Sequence, residues 1–204
     1  MPRWGMVFDL KRCIGCNACV VACKTENMLP EDAFFTRTFV VELGSFPNVK
    51  RVYIPSLCNQ CEEAPCEKAC PSGATYTRND GIVMVDQEKC IGCSACAVAC
   101  PYDMRTQLTK EKLERSYFGE RDLASFEEAR TERWTAGTVT KCDFCSGRID
   151  KGLQPACVGA CPTEARIFGD LNDPESAPNR LIRQRNGKAP LPEKNARPKV
   201  FYVD

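Results

Sequence analysis

Sixteen cysteines fall into four compact groups that together use every cysteine of the chain. Groups one and three share the spacing C-x2-C-x2-C-x3-C, whereas the third gap is longer in group two, C-x2-C-x4-C-x3-C, and in group four, C-x2-C-x11-C-x3-C. The groups are Cys13, Cys16, Cys19 and Cys23; Cys58, Cys61, Cys66 and Cys70; Cys90, Cys93, Cys96 and Cys100; and Cys142, Cys145, Cys157 and Cys161. Because the chain has no histidine, its chemistry must run through sulfur rather than imidazole.

The spacing of groups one and three is that of bacterial ferredoxins, in which cysteine thiolates hold a [4Fe-4S] cluster. In such a run the first three cysteines bind one cluster, and the fourth binds the other cluster of a pair. Proline follows the last cysteine in groups two, three and four, whereas Lys24 follows it in group one. Small residues inside the runs, such as Gly15 and Gly92, allow backbone N–H groups to approach the cluster sulfides.

Two other uses of clustered cysteines remain open. A disulfide framework is typical of small secreted chains, but 204 residues can bury a core without one. Structural zinc also takes four thiolates, but it usually binds two C-x2-C pairs and does not require a third cysteine at the next x2 step. Four groups that use every cysteine favour iron–sulfur clusters over both alternatives.

The pairing of the groups follows from the segments between them. Groups two and three are joined by SGATYTRNDGIVMVDQEK, where residues 74–77 and 82–85 are predicted to form two strands of a hairpin. These groups therefore form one two-cluster module, and groups one and four pair with each other across more than a hundred residues. The crossing rule assigns Cys13, Cys16, Cys19 and Cys161 to cluster 1; Cys23, Cys142, Cys145 and Cys157 to cluster 2; Cys58, Cys61, Cys66 and Cys100 to cluster 3; and Cys70, Cys90, Cys93 and Cys96 to cluster 4.

The predicted fold class is α+β, with two ferredoxin-like modules, one inserted in the other. Residues 1–50 and 140–172 form the discontinuous module of groups one and four, and residues 51–102 form the inserted module of groups two and three. Residues 103–139 are predicted to be a helical insertion, and residues 173–204 an extended tail. Further strands are predicted at residues 4–9, 165–169 and 200–203. Residues 109–134 form a charged stretch that is predicted to be helical. This stretch is either a solvated face or a docking surface.

Composition and charge narrow the functional classes. The hydrophobic content of 43% and charged content of 27% are ordinary for a globular protein, and a formal net charge of +1 argues against nucleic acid as the main partner. No apolar stretch approaches the roughly 20 residues that cross a bilayer. Four clusters with 2+ cores on sixteen thiolates contribute a charge of −8, which brings the net charge of the loaded protein to about −7.

Arg12, Lys89 and Lys141 each precede the first cysteine of a group and are candidates for tuning a cluster potential, although ordinary surface cations would look the same.

The chain resembles the four-cluster iron–sulfur subunits of molybdopterin oxidoreductase complexes, of the dimethyl sulfoxide, polysulfide, thiosulfate, tetrathionate and arsenate reductase type. The resemblance rests on MVFDLKRCIGCNACVVACKTEN, SLCNQCEEAPCEKACPSGA, DGIVMVDQEKCIGCSACAVACPYDMR, KCDFCSGRIDKGLQPACVGACPTEARIFGDLNDPES and RPKVFYVD. It implies a non-catalytic subunit that relays single electrons between a molybdenum or tungsten catalytic subunit and a membrane quinone subunit. Clusters 1 and 2 would face the catalytic subunit, and clusters 3 and 4 the membrane subunit.

Two further expectations come from the resemblance. Some relatives replace the second cysteine of group three with tryptophan and hold a [3Fe-4S] centre, so the presence of Cys93 predicts four [4Fe-4S] clusters. Relatives are often exported folded by the twin-arginine leader of the catalytic subunit, and MPRWGMVFDL contains no such signal. The expected location is therefore extracytoplasmic, with membrane attachment through a partner, and the alternative is cytoplasmic.

The predicted function is electron transfer in an anaerobic respiratory complex, with no bond-making step on this chain. One alternative keeps the clusters but assigns the chain to a hydrogenase or formate dehydrogenase. A second alternative, from a different class, is a zinc-binding structural module.

Overall fold

The computed structural model describes residues 1–119 and 122–204 and has a mixed α+β fold with short sheets and short helices. Within these residues the strands are β1 (Trp4–Asp9), β2 (Thr36–Ser45), β3 (Asn48–Leu57), β4 (Thr75–Thr77), β5 (Val83–Val85), β6 (Thr106–Leu108), β7 (Thr138–Thr140), β8 (Arg166–Asp170) and β9 (Val200–Val203). The helices are α1 (Ala18–Asn27), α2 (Pro65–Lys68), α3 (Ala95–Val98), α4 (Lys110–Glu114), α5 (Ser125–Arg133), α6 (Ser146–Ile149), α7 (Ala156–Gly159) and α8 (Ala177–Gln184), with a 3₁₀ turn at Pro192–Lys194. None of the helices in the described residues is long and apolar enough to span a bilayer.

Strand β1 is the centre of a three-stranded sheet. It pairs antiparallel with β8 and parallel with β9, so it has neighbours on both edges. Five of its six residues are buried, which explains why its sequence WGMVFD is apolar almost throughout rather than alternating. The predicted strands at 4–9 and 200–203 are confirmed, and the strand predicted at 165–169 begins one residue later.

The cysteines form part of the hydrophobic cores instead of lying beside them. Phe8, Phe144 and Phe168 are buried in one cluster with Cys19, Cys23, Cys142 and Cys157, and the ring centroids of Phe144 and Phe168 are 5.3 Å apart. A second cluster contains Cys61, Cys66 and Cys96. Aromatic and aliphatic side chains therefore surround the thiols and hold them away from water.

The longest hairpin of the fold was not predicted. Strands β2 and β3 pair over ten residue pairs, from Thr36 opposite Leu57 to Ser45 opposite Asn48. The predicted boundary between residues 50 and 51 falls inside β3. The hairpin escaped prediction because most of its residues are exposed and its strands do not alternate between apolar and polar side chains.

The hairpin between groups two and three is confirmed. Strands β4 and β5 pair antiparallel and lie within the predicted ranges 74–77 and 82–85. Gly81 has φ of 80° in the connecting turn, where a left-handed conformation favours glycine. The Arg-Asn-Asp-Gly sequence therefore marked a real turn.

The predicted helical insertion contains two short helices instead of one continuous stretch. Helices α4 and α5 lie between β6 and β7, which pair with each other at the base of the insertion. Glu120 and Arg121 lie outside the described residues. Arg130 is 1% exposed and donates to the carbonyls of Leu113 and Arg115, so a buried charge holds the two helices together.

The prediction of an extended tail is wrong for residues 177–184, which form helix α8. The Ser176 hydroxyl accepts a hydrogen bond from the backbone N–H of Asn179, and Pro178 occupies the first turn, where it needs no hydrogen bond. The Arg185 guanidinium, just after the helix, lies 2.5 Å from the carboxylate of buried Asp9. This ion pair fixes the end of α8 to the end of β1.

Candidate metal centres

Three small cavities are each lined by four cysteines from two different groups. The first is lined by Cys13, Cys16, Cys19 and Cys161. The second is lined by Cys58, Cys61, Cys66 and Cys100. The third is lined by Cys70, Cys90, Cys93 and Cys96. These are the cysteine sets that the crossing rule assigns to clusters 1, 3 and 4.

The remaining four thiols form a buried set. Cys23, Cys142, Cys145 and Cys157 are each at most 9% exposed, and all sixteen cysteines are free of disulfides. Burial and the neighbouring Cys157 and Cys145 raise the pKa of Cys23, and burial raises the pKa of Cys145 to about 11. A cation that replaces the thiol protons would relieve this cost, because the thiolate is the form that binds metal.

The geometry fits a polynuclear cofactor. Each cavity is lined by soft sulfur donors from two cysteine groups. Soft thiolates select zinc or iron–sulfur clusters, and thiolates that surround a cavity suit a cluster of several atoms. The cavities therefore match the [4Fe-4S] prediction in donor type and in the arrangement of the donors.

Left-handed residues turn the backbone around the cysteines of groups one and three. Gly15 and Asn17 have φ of 69° and 59°, and the equivalent Gly92 and Ser94 have φ of 70° and 58°. A backbone that turns through such conformations can direct successive N–H groups into one concave face, which suits an anionic ligand. The two runs thus share one local structure as well as one spacing.

Hydrogen bonds reach the last cysteine of groups two and four in the same way. The N–H of Ala165 donates to the sulfur of Cys161 at 3.2 Å, and the N–H of Thr75 donates to the sulfur of Cys70 at 3.4 Å. Burial by itself would raise the pKa of both thiols, but these N–H donors and the nearby hydroxyls lower it below its usual value. Donors of this kind stabilise a thiolate and raise the potential of a cluster bound to it.

Comparison with known proteins identifies the family. One 4Fe-4S dicluster domain model matches residues 49–125 and 123–171, and a second matches residues 12–74. The chain is 38% identical to the arsenate respiratory reductase iron–sulfur subunit of a Shewanella species, over 98% of this chain and 96% of that protein. It is 39% identical to a tetrathionate reductase subunit of Salmonella typhimurium, over 98% of this chain and 72% of that protein. It is 33% identical to a polysulfide reductase chain of Wolinella succinogenes, over 98% of this chain and 94% of that protein.

The chain belongs to the 4Fe-4S dicluster iron–sulfur subunits of molybdopterin reductase complexes. It is an electron-transfer subunit, and its two dicluster domains and sixteen cysteines correspond to four [4Fe-4S] clusters. The zinc alternative is thereby excluded.

The three predicted tuning residues of this iron–sulfur subunit lie in different environments. Arg12 lies near the carboxylates of Asp9 and Glu164, and Lys89 lies 3.1 Å from Asp86, with more than half of each cationic side chain exposed. Lys141 is 4% exposed, and its ammonium donates to the carbonyls of Cys142 and Val83. Burial therefore makes Lys141 the stronger candidate, and the tuning role of all three stays a prediction.

Two arginines that lie among the cysteines of the iron–sulfur subunit were not predicted from its sequence. Arg105 is 8% exposed and Arg166 is 3% exposed, and thiols are the charged neighbours of both. Each lies five residues after the last cysteine of its group, in CPYDMR and CPTEAR. This shared spacing could have identified both residues from the sequence.

Groups two and four meet at Cys58 and Cys142, because Cys58 packs against the core cluster that contains Cys142. Burial raises the pKa of Cys142, and neighbouring thiols that include Cys58 add to the shift. Gln60, which is fully buried, donates to the carbonyl of Cys142 at 2.6 Å and accepts from the N–H of Val83 at 2.8 Å. This glutamine connects groups two and four, and its role was not predicted from the sequence.

Two of the sixteen cysteines are exposed, and both are second in their group. Cys16 lines the first cavity and Cys93 the third. Next to them, Ile14 is 56% exposed and Ile91 is 68% exposed. The first and third cavities therefore reach the surface of the iron–sulfur subunit through apolar rims.

Proposed function

We propose that this subunit relays single electrons through four [4Fe-4S] clusters in the order 1, 2, 3, 4. The ligands are Cys13, Cys16, Cys19 and Cys161 for cluster 1; Cys23, Cys142, Cys145 and Cys157 for cluster 2; Cys58, Cys61, Cys66 and Cys100 for cluster 3; and Cys70, Cys90, Cys93 and Cys96 for cluster 4. The observation that carries the proposal is that three cavities are each lined by one of these sets.

Proximity of thiols from different sets supports the order. Cys19 of set 1 and Cys23 of set 2 share helix α1. Cys58 of set 3 packs against the core cluster that contains Cys142 of set 2, and Cys66 of set 3 and Cys96 of set 4 lie in one core cluster. Sets 1 and 4 therefore form the two ends, where Cys16 and Cys93 are exposed.

The proposal includes the nested arrangement of the two ferredoxin modules. Strand β1, which precedes group one, pairs with β8, which follows group four. Helix α1 carries cysteines of group one and contacts α7, which carries a cysteine of group four. The β4–β5 hairpin connects groups two and three within the intervening segment. These pairings support one discontinuous module with a second module inserted in it.

We assign the cluster 1 end to a molybdopterin catalytic subunit and the cluster 4 end to a membrane quinone subunit. The β2–β3 hairpin supports the first assignment, because Thr38 and Pro55 at its base line the cluster 1 cavity. A side chain at Gly15 in the cluster 1 run would overlap the Tyr53 ring of the same hairpin. These contacts support a partner that approaches cluster 1 beside the hairpin.

The distal half of this hairpin presents an apolar face. Phe39, Val41 and Leu43 are 48%, 37% and 52% exposed and lie on one face, because side chains alternate along a strand. Val52 and Ile54 share this face, since they pair directly with Val41 and Phe39. A lone two-stranded ribbon is marginally stable in water, so this face is suited to burial against the catalytic subunit.

The hairpin predicts a selective loss of assembly. We expect the double variant Val41→Glu and Leu43→Glu to weaken association with the catalytic subunit by at least about tenfold, because two charges would have to be desolvated. The matched control is Glu42→Gln, on the opposite face of the same strand. Affinity purification of the complex through the catalytic subunit measures the effect. Equal recovery of both variants would contradict the assignment, as would a hairpin-dependent dimer of the isolated subunit.

Metal analysis tests the proposed function directly. Four cubane clusters require about sixteen iron and sixteen acid-labile sulfide atoms per chain. The complex purified without oxygen should also contain a molybdenum or tungsten subunit and an integral membrane subunit. An iron content near eight would disprove the four-cluster relay. A fully loaded chain that remains monomeric in the presence of both subunits would disprove the assignment of these partners.

The proposed location is extracytoplasmic, with attachment to the membrane through the quinone subunit. The family resemblance supports this location, since relatives are often exported with their catalytic subunit. The cytoplasmic location is the alternative.

A further inference from the structure

Arg105 and Arg166 are buried cations without a carboxylate partner among the described residues. Arg105 donates to the hydroxyl of Thr75 at 3.0 Å, and Arg166 donates to the hydroxyl of Thr36 at 2.9 Å. Nε and Nη2 of Arg105 and Nη1 of Arg166 are buried without a hydrogen-bond partner in the protein. A buried guanidinium with so little compensation is costly, so both side chains require a nearby anion.

Cysteine sulfurs surround each guanidinium, since Arg105 lines the cavity of set 3 and Arg166 lines the cavity of set 1. Burial opposes ionisation of Arg105, but the charges of Cys66 and Cys96 raise its pKa. Arg166 behaves in the same way, with Cys157 and Cys19 as its strongest charged neighbours. The Phe8 ring, which is fully buried, packs against the Arg166 guanidinium, with its centroid 4.8 Å from the guanidinium carbon.

Each arginine lines the cavity of one cysteine set, and the core cluster beside it contains cysteines of both sets of its own module. Cys66 and Cys96 belong to the sets of clusters 3 and 4, and Cys19 and Cys157 to those of clusters 1 and 2. The arginines are equivalent in the repeat, because each follows the sequence Cys-Pro-x-acid-x, and the acidic residue before each, Asp103 or Glu164, has φ of 52°. The same placement in both halves indicates a role in the cluster pair rather than in local packing alone.

Charge explains what such a cation does. A [4Fe-4S] cluster with four thiolates is a dianion when oxidised and gains one more negative charge on reduction. A fixed cation in a buried site stabilises the reduced form more than the oxidised form, and the low effective dielectric strengthens the interaction. The exposed Arg12 and Lys89 should change the cluster potentials much less, because solvent and their carboxylate partners screen their charges.

We propose that Arg105 and Arg166 are the fixed counter-cations of the two cluster pairs, and that each raises the reduction potentials of the two clusters of its own module. The proposal rests on the cluster assignments of the proposed function. It assigns these arginines a positioning and tuning role, with no proton or bond transferred.

Potentiometric titration of the intact complex, monitored by electron paramagnetic resonance, tests this inference. Arg166→Gln should shift the midpoint potentials of clusters 1 and 2 to lower values and leave clusters 3 and 4 nearly unchanged. Arg105→Gln should give the reverse pattern. Arg166→Lys and Arg105→Lys retain the charge and should therefore keep most of the wild-type potential. The control Arg12→Gln, next to Cys13 but exposed, should leave all four potentials near wild type.

The outcomes separate the counter-cation role from the proposed function. A wild-type chain without about sixteen iron atoms would disprove the relay itself. A fully loaded Arg166→Gln variant with unchanged potentials would overturn only the counter-cation role, as would equal shifts of all four clusters. If Arg166→Gln loses iron, Arg166→Lys decides: a full iron content supports the charge role, and loss of iron despite the retained charge overturns it.

Discussion

Replacement of Cys142 by alanine is expected to remove cluster 2 and to stop electron flow through the subunit. Cys142 is buried, and the proposed order places cluster 2 between cluster 1 and the inserted module. Alanine cannot ligate iron, so the iron content should fall by about four atoms per chain. Turnover driven from the membrane-side donor should be lost. Turnover of the catalytic subunit with a viologen dye supplied directly to it should be retained.

The control for this variant lies in the same cysteine run. A side chain at Gly147 would meet no atom within 4 Å, and Gly147 lies in helix α6 next to Ser146. Gly147→Ala should therefore keep its iron and its turnover from the membrane-side donor. Full iron content in Cys142→Ala would show that Cys142 is not a ligand. Retained membrane-driven turnover after loss of cluster 2 would show that the relay does not pass through it.

Replacement of Gly92 by alanine is expected to disrupt cluster 4 far more than the equivalent change at Gly73. Both glycines have positive φ, 70° at Gly92 and 64° at Gly73, so both substitutions carry a backbone penalty of about 1 kcal/mol. A Cβ at Gly92 would overlap the backbone carbonyl of Gly137, whereas one at Gly73 would meet nothing within 4 Å. Since a backbone oxygen cannot rotate away, the overlap adds about 1–3 kcal/mol.

The rate of cluster loss in guanidinium measures this difference. The visible absorption of Gly92→Ala should decay at least about tenfold faster than that of Gly73→Ala, because about 1.4 kcal/mol corresponds to a factor of ten in rate. Cluster 4 should disappear first, since Gly92 lies between its ligands Cys90 and Cys93. Equal decay rates would show that the loop around Gly137 moves away from the added Cβ without a measurable loss of stability.

The two proposed modules have similar surroundings for their arginines. Arg105 donates to the hydroxyl of Thr75, and Arg166 donates to the hydroxyl of Thr36. The modules differ in the lysine that precedes a first cysteine, because Lys141 is buried beside Cys142 whereas Lys89 before Cys90 is exposed. Any effect of Lys141 on a cluster potential should therefore exceed that of Lys89.

The sequence by itself predicted the ligand chemistry and the pairing of the groups, and the three cysteine-lined cavities support that pairing. Cysteine spacing is a local property, and a run of C-x2-C-x2-C can surround one cluster wherever it lies in the fold. Strands β1, β5 and β9 were also predictable, because short apolar runs bounded by turn residues are typical of strands. Strand β4 was predictable because it and β5 flank a turn sequence. Helix α8 was missed although Ser176 and Pro178 form a recognisable start, since its residues were interpreted as part of a proline-rich tail.

Only the tertiary structure decided which basic side chains are buried beside the cysteines. Arg12 and Lys141 both adjoin a first cysteine in the sequence, but one is exposed and the other is buried. Arg166 is enclosed because β1 brings Phe8 against it and β2 brings Thr36 to it from distant parts of the chain. Electrostatic strength depends on the surrounding dielectric, and the dielectric depends on what packs around a charge. Spacing along the chain specifies the ligands, and three-dimensional packing specifies the field in which they work.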